Sequence, residues 1–127
     1  MTDDTRPASP RSSEGMSVLT LHGELDYSHG EQLSATVDAA LAAAPAVLAV
    51  DLSDVTFADS FALRVLVLAH QRMRTAGGSL ILVGPLTIAV QRLLEATATD
   101  KHFTIAQDMA AAEAVADVLL GHGTGRS

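Results

Sequence analysis

The sequence predicts a single α/β domain with a mixed, mostly parallel sheet of four to five strands and about four helices packed on it. Short runs of β-branched and aliphatic residues alternate along the chain with longer segments of helical periodicity, a pattern typical of a mostly parallel sheet. At 127 residues the chain suits one domain with one core. Because 48% of the residues are hydrophobic but only 3% are aromatic, Ala, Val, Leu and Ile must build that core.

The two ends of the chain differ in composition from the region between them. Residues 1–15 are rich in Asp, Ser, Pro and Arg and almost free of apolar residues, so we expect a disordered N-terminal tail. The strand predicted over Met16–Leu25 then becomes an exposed edge that offers a pairing surface. We expect the domain itself over residues 16–120 and a flexible C-terminal tail over 121–127.

The first half of the domain is predicted to contain a helix followed by a buried strand. We expect the helix over residues 31–44, because Leu33, Val37 and Leu41 recur at four-residue spacing on one face. Residues 46–52 form a nearly unbroken aliphatic run, which predicts a strand buried on both faces.

A polar turn joins this buried strand to an apolar helix predicted over Ser60–Thr75. Asp59 occupies the expected N-cap position, where its carboxylate accepts from free amides and its charge suits the helix dipole. Ser60 then becomes the first helical residue, beyond the carboxyl ends of the strands, where open α/β sheets present their sites. We expect Asp51 and Asp54 to cap backbone amides near the strand end.

The helix over Ser60–Thr75 has more apolar residues than one core stripe needs. The stripe expected to face the sheet consists of Ala62, Val65, Leu66, Ala69 and Met73. The apolar residues outside that stripe are Phe61, Leu63, Val67 and Leu68. Two interpretations stay open: the helix is buried between the sheet and its neighbours, or its outer face is a partner groove flanked by Arg64, Arg72 and Arg74.

We expect Gly77-Gly78 to end this helix, because glycine takes left-handed backbone angles without a Cβ clash. The second half of the domain begins there. The later elements are a strand at Ser79–Val83, a helix over 86–96, a short strand over 103–106 and a final helix from the Asp108 cap to about residue 120. The packing face predicted for the final helix is Ala111, Val115, Val118 and Leu119.

Charge and residue types exclude several classes of function. The formal net charge of −7 argues against direct nucleic-acid binding and favours a protein partner with a basic surface. No apolar run approaches the ~18 residues of a membrane span, so we expect a cytoplasmic protein without membrane insertion. The chain has no cysteine and its five histidines lack ligand spacing, so we expect neither a metal site nor a cofactor. We find no catalytic set and expect no enzyme.

The segment Asp51-Leu-Ser-Asp-Val-Thr-Phe-Ala-Asp-Ser60 resembles the signature of the sulfate transporter and anti-sigma factor antagonist (STAS) domain, specifically of bacterial anti-sigma factor antagonists. Gly23-Glu-Leu-Asp26 looks like the first characteristic turn of that family, and Gly77-Gly78-Ser-Leu-Ile-Leu-Val83 looks like its helix-to-strand return. With residues 90–95, the resemblance spans roughly residues 16–120. It implies a single STAS-like domain.

The resemblance also implies a modification site, because Ser60 matches the family's phosphorylated serine. The family's Asp-Ser-Ser-Gly-Leu motif stands here as Asp59-Ser60-Phe61-Ala62-Leu63, so phenylalanine replaces the second serine and alanine replaces the glycine. The partner-binding residues that we expect are Asp26, Asp59, Phe61, Leu63, Arg64 and Val67.

By the same resemblance, the unphosphorylated protein would bind an anti-sigma factor with serine kinase activity and free the sigma factor. Phosphorylation of Ser60 would release that partner, and a phosphatase would restore the active form; we expect a monomer or weak dimer. Two alternatives stay open. One is a STAS subunit of a lipid-transport or stressosome-like assembly that is never phosphorylated, and the other is a small-ligand sensor using the cleft near Asp26 and Ser60.

Overall fold

The computed structural model describes residues 8–13 and 15–121. The strands are β1 (Ala8–Ser13), β2 (Met16–Leu25), β3 (Val47–Ala58), β4 (Ser79–Val83) and β5 (Thr104–Ala106). The helices are α1 (Gly30–Ala42), α2 (Ser60–Thr75), α3 (Ile88–Ala96) and α4 (Met109–Leu119), with 3₁₀ turns at Tyr27–His29 and Thr99–Lys101. The strands form one sheet in the order β1-β2-β3-β4-β5, in which β1 is antiparallel and the other pairs are parallel. The predicted fold class is confirmed.

The N-terminal segment corrects one expectation, because β1 lies within the region for which disorder was expected. Its residues pair antiparallel with β2 from Ala8 opposite Leu21 to Ser13 opposite Met16, and Gly15 (φ +86°) lies in the connecting turn. The prediction weighed side chains, whereas an edge strand is held by backbone groups that nearly any sequence supplies. Residues 1–7, 14 and 122–127 lie outside the described residues, so tails there stay predictions.

Strand β3 is longer than the aliphatic run that predicted it. It pairs with β4 only as far as Asp51, but its pairing with β2 continues through two register shifts to Ala58. The residues after Leu52 are therefore strand residues that pair with β2 but not with β4, and the polar side chains of Ser53, Asp54 and Thr56 keep contact with solvent, which avoids the cost of desolvation. This extension carries the β3–α2 connection beyond the end of β4.

The sheet has a helical layer on each face. One core cluster joins the sheet to α1, α2 and α3 through side chains such as Leu33, Leu66 and Leu94. A smaller cluster on the other face joins it to α4 through Ala112 and Ala116. Leucine, valine, isoleucine and alanine make up most of both clusters, as the composition predicts.

Helix α2 has the predicted bounds, but its buried face is wider than the predicted stripe. Leu63, which was expected outside the core and in contact with a partner, is only 8% exposed and belongs to the core cluster. Phe61 and Val67 are half-buried, and Leu68 is 45% exposed. The reason is that α2 packs in one core cluster with the sheet, α1 and α3, so more than one face of the helix loses solvent.

The ends of two helices match their predicted capping residues. Gly78 N–H donates to Met73 (2.8 Å) and Gly77 N–H donates to Arg74 (3.0 Å), which is the Schellman pattern with Gly77 at φ +87°. Asp108 caps α4 by accepting from Ala111 N–H at 2.9 Å.

The predicted packing face of α4 was wrong in part. Ala112 and Ala116 are the buried residues, whereas Val118 is 73% exposed and Leu119 is 49% exposed. Small side chains allow the helix backbone to approach the sheet closely, and the larger residues then remain outside. Hydrophobicity alone did not reveal which alanines make that contact.

Candidate functional site

Asp59 links the two loops that form the predicted site. One carboxylate oxygen (Oδ1) accepts from Ala62 N–H at 3.0 Å, which confirms the predicted N-cap of α2. The other oxygen (Oδ2) accepts from Tyr27 N–H at 2.9 Å, and the backbone N–H of Asp59 donates to Leu25 O at 3.1 Å. The β2–α1 and β3–α2 connections are thus held together by one side chain and its own backbone.

Ser60 is the first residue of α2 and is exposed to solvent. Its position matches the prediction. The free N–H groups and the dipole of the first helical turn favour negative charge at this end of the helix. A phosphoryl group on the hydroxyl would therefore lie where the fold tolerates an anion.

Phe61 follows Ser60 and packs on the neighbouring loop instead of projecting freely into solvent. Its ring lies edge-to-face with the Tyr27 ring, with centroids 5.7 Å apart and planes at 90°. The ring also covers Gly30 so closely that a Cβ there would lie 2.7 Å from a ring carbon. Gly30 is thus the residue whose missing side chain makes room for Phe61.

A compact polar cluster holds the turn that carries Tyr27. The Ser28 hydroxyl donates to Oδ1 of Asp26 (2.6 Å), and Nδ1 of His29 lies 2.8 Å from the same oxygen. The hydrogen bond from Ser28 is the main cause that lowers the pKa of Asp26 below its ordinary value, and the hydrogen bond from His29 is the next. Asp26 thus carries its negative charge one residue before Tyr27, whose backbone N–H donates to Asp59.

The structure brings some of the expected partner-binding residues together and separates others. Asp26, Asp59 and Phe61 surround Tyr27, and Arg64 is exposed one turn further along α2. Leu63 is a core residue, and half-buried Val67 packs against the same core cluster. Asp51 accepts from Ser53 N–H at 2.9 Å, as expected of a backbone cap.

A groove lies between α1 and α2, but of the three arginines expected to flank a partner groove only Arg72 lines it, and Arg64 and Arg74 do not. Its apolar lining includes Val37, Leu41, Val65 and Leu68. Arg72 lines this groove and pairs with Asp38 of α1 at 2.8 Å, so the arginine is engaged in an exposed intramolecular ion pair.

Tyr27 and Gly30 belong to the site but were not predicted from the sequence. Tyr27 is the single tyrosine of the chain and its side chain is 77% exposed. Only a tertiary contact relates it to Phe61, because 34 positions separate them in the sequence. The sequence feature that could have indicated Tyr27 is the rarity of aromatic residues: in a chain with so few of them, the phenylalanine directly after Ser60 suggests that another aromatic residue packs against it.

The described residues contain no group of three or more His, Cys, Asp or Glu side chains arranged to hold a metal ion. Within the same part of the chain, no helix is both long and apolar enough to cross a lipid bilayer.

Comparison with known proteins agrees with this geometry. The family model of the STAS domain matches residues 8–112. An anti-sigma factor antagonist from Mycobacterium paratuberculosis is similar to this chain, with a TM-score of 0.70 and 28% identity, over 77% of this chain and 82% of that one. No curated protein sequence matches the chain.

Two structures of SpoIIAA show the same fold at lower identity. The unphosphorylated anti-sigma factor antagonist SpoIIAA has a TM-score of 0.70 and 19% identity, over 90% of this chain and 96% of its own. The phosphorylated form of SpoIIAA, a Bacillus cell fate determinant, has a TM-score of 0.64 and 18% identity, over 85% and 98% of the respective chains. With the STAS model matching most of its length, this chain belongs to the STAS domain family.

Proposed function

We propose that this chain is an anti-sigma factor antagonist that works by partner switching in the cytoplasm and has no enzymatic activity of its own. The observation that carries the proposal is Ser60, exposed at the capped N-terminus of α2 in a STAS domain. The similar structure from Mycobacterium paratuberculosis is described as an anti-sigma factor antagonist. The unphosphorylated form would bind an anti-sigma factor of the serine kinase type and so free the sigma factor.

Phosphorylation of Ser60 would end that complex. The Ser60 oxygen attacks the γ-phosphorus of ATP held by the kinase, ADP leaves and the hydroxyl proton is lost. The product carries about −1.5 to −2 charges beside Asp59. A phosphatase would later hydrolyse the ester and restore the hydroxyl.

The added charge acts differently on the fold and on the complex. Within the folded chain, the helix N-terminus offsets part of the repulsion from Asp59. At a docked interface, the same charge must lose water and face any carboxylate nearby. A loss of only ~3 kcal/mol weakens binding more than a hundredfold.

The proposal is tested with purified anti-sigma factors of the serine kinase type from the genome that encodes this chain. We expect one of them to bind the wild type and Ser60→Ala equally and to bind Ser60→Asp at least ~100-fold more weakly. Labelled phosphate from ATP should enter the wild type and Thr75→Ala but not Ser60→Ala. Thr75 is the control because it also carries an exposed hydroxyl on α2 but lies at the opposite end of that helix.

Melting temperatures separate loss of binding from loss of folding. We expect Ser60→Ala and Ser60→Asp to melt within a few degrees of the wild type, since surface changes usually alter stability by less than ~0.5 kcal/mol. Equal binding by all three forms would remove Ser60 from the mechanism.

A second candidate function is favoured by the residue next to Ser60. Phe61 places a half-buried aromatic ring, clamped by Tyr27 and Gly30, where a kinase active site must approach. This arrangement favours a STAS subunit of a larger assembly that is not phosphorylated. Absence of labelled phosphate in the wild type, together with retained partner binding, would select it.

A further inference from the structure

The aromatic residues of this chain have an unusual distribution. Among its one tyrosine and three phenylalanines, only Phe103 is buried, at 7% exposure. Tyr27 is 77% exposed, Phe57 is 44% exposed and Phe61 is half-buried. Tyr27, directly after β2 and the Asp26 turn, packs against Phe61 in the first turn of α2, next to Ser60. Aromatic side chains supply much of the binding energy of protein interfaces, so an exposed tyrosine ring beside Ser60 indicates a recognition surface.

Tyr27 is held in place before any partner arrives. Its backbone N–H donates to Asp59 at 2.9 Å, and its ring meets the Phe61 ring edge-on at 5.7 Å. Phe61 is in turn seated on Gly30, which leaves no room for a Cβ. An anchor that is already ordered costs less conformational entropy on binding.

The surroundings of Tyr27 are acidic. Glu24 is the second-last residue of β2, Asp26 directly precedes Tyr27, Glu31 lies in the first turn of α1, and Asp59 accepts from the Tyr27 backbone N–H. Arg64 on α2 is an exposed arginine in the second turn of the helix that Ser60 begins. A partner surface that accepts the ring must therefore supply positive charge around an apolar pocket.

We propose that Tyr27, presented by Phe61 and Gly30, is the aromatic anchor of the partner interface and inserts into an apolar pocket edged by arginine or lysine on a protein partner. The proposal rests on the proposed function, since the partner is the anti-sigma factor that docks over Ser60. It adds a residue and a partner chemistry specific to this chain. Phe61 acts as a positioning residue, because it orients the tyrosine ring.

The test measures dissociation constants by calorimetry with the anti-sigma factor that binds the wild type. Tyr27→Ala should weaken binding at least ~10-fold, as truncation of an interface anchor does. Tyr27→Phe should stay within ~3-fold of the wild type, because the apolar ring remains. Val118→Ala is the control, since Val118 is similarly exposed at 73% but lies on α4, which packs on the other face of the sheet; this variant should bind as the wild type does.

Salt dependence tests the chemistry of the pocket edge. The wild-type affinity should fall as the salt concentration rises, and replacing Glu24 with glutamine should reduce that dependence. Equal binding by Tyr27→Ala and the wild type, or an affinity independent of salt, would overturn this proposal while leaving the proposed function intact. If no anti-sigma factor binds the wild type, the proposed function and this proposal both fail.

Discussion

Replacing Gly30 with alanine tests whether Phe61 is clamped as the structure shows. The backbone of Gly30 is helical (φ −62°, ψ −43°), so alanine is locally acceptable there. The new Cβ, however, would lie 2.7, 2.9 and 3.4 Å from three carbons of the Phe61 ring. Two of these distances are too short for carbon atoms, so the ring must move.

The magnitude follows from opposing contributions to the free energy of unfolding. Alanine gains at most about 1 kcal/mol over glycine in a helix. Moving the ring loses the aromatic pair, about 0.5–1.5 kcal/mol, and an off-rotamer ring costs about 0.5–1.5 kcal/mol more. We therefore expect Gly30→Ala to destabilise the wild type by about 1 kcal/mol, which would make a favourable helix substitution unfavourable.

A double-mutant cycle isolates the cause. In a Phe61→Ser background the ring is gone, so Gly30→Ala should be neutral or stabilising by up to about 1 kcal/mol. Urea unfolding of the four proteins should then give a coupling free energy of about 1–3 kcal/mol between the two positions. Equal effects of Gly30→Ala in both backgrounds would refute the clamp.

Two further predictions concern α2. Leu63→Ala should destabilise the fold by about 2–5 kcal/mol, because it truncates a core leucine. Leu68→Ala is the control at an exposed position of the same helix and should cost less than about 1 kcal/mol in the same urea assay. The second concerns His70, whose buried Nδ1 has no hydrogen-bond partner among the described residues. Burial is the main cause that lowers the pKa of His70 below 6.5, and the nearby charges of Arg74 and His102 lower it further. The unfolded chain therefore binds the proton at this imidazole more readily than the folded chain does. The contribution of neutral His70 to the free energy of unfolding is complete above about pH 6.5 and is lost as the pH falls below that value. In urea unfolding, the free energy of unfolding of His70→Gln should therefore decline less than that of the wild type as the pH is lowered. An equal decline in both proteins would contradict this account.

Local chemistry accounts for most of what could be predicted before the fold was known. The strand Ser79–Val83 and the helix Ser60–Thr75 have their predicted bounds, and Asp59 and Asp108 cap the helices that they were expected to cap. These features depend on a few adjacent residues: a side chain that accepts from backbone amides, a periodic apolar face, or glycines that end a helix. The exposed position of Ser60 followed from the same reasoning.

The errors share a physical cause, which is that the deciding neighbour is distant in sequence. β1 forms because β2 has a free edge, and β3 continues to Ala58 because β2 runs beside it. Leu63 is buried because it belongs to the core cluster that α2 shares with the sheet, α1 and α3, and a helical wheel of α2 alone does not reveal these neighbours.

The site shows the same division. The cap, the serine beside it and the departure from the family motif at Phe61 could be read from adjacent residues, because these lie within a few positions of one another. The contacts of Phe61 with Gly30 and Tyr27 could not be predicted in this way, since they form when the β2–α1 loop packs against the start of α2. Packing depends on which surfaces meet, and that is a property of the assembled sheet and helices and not of any single segment.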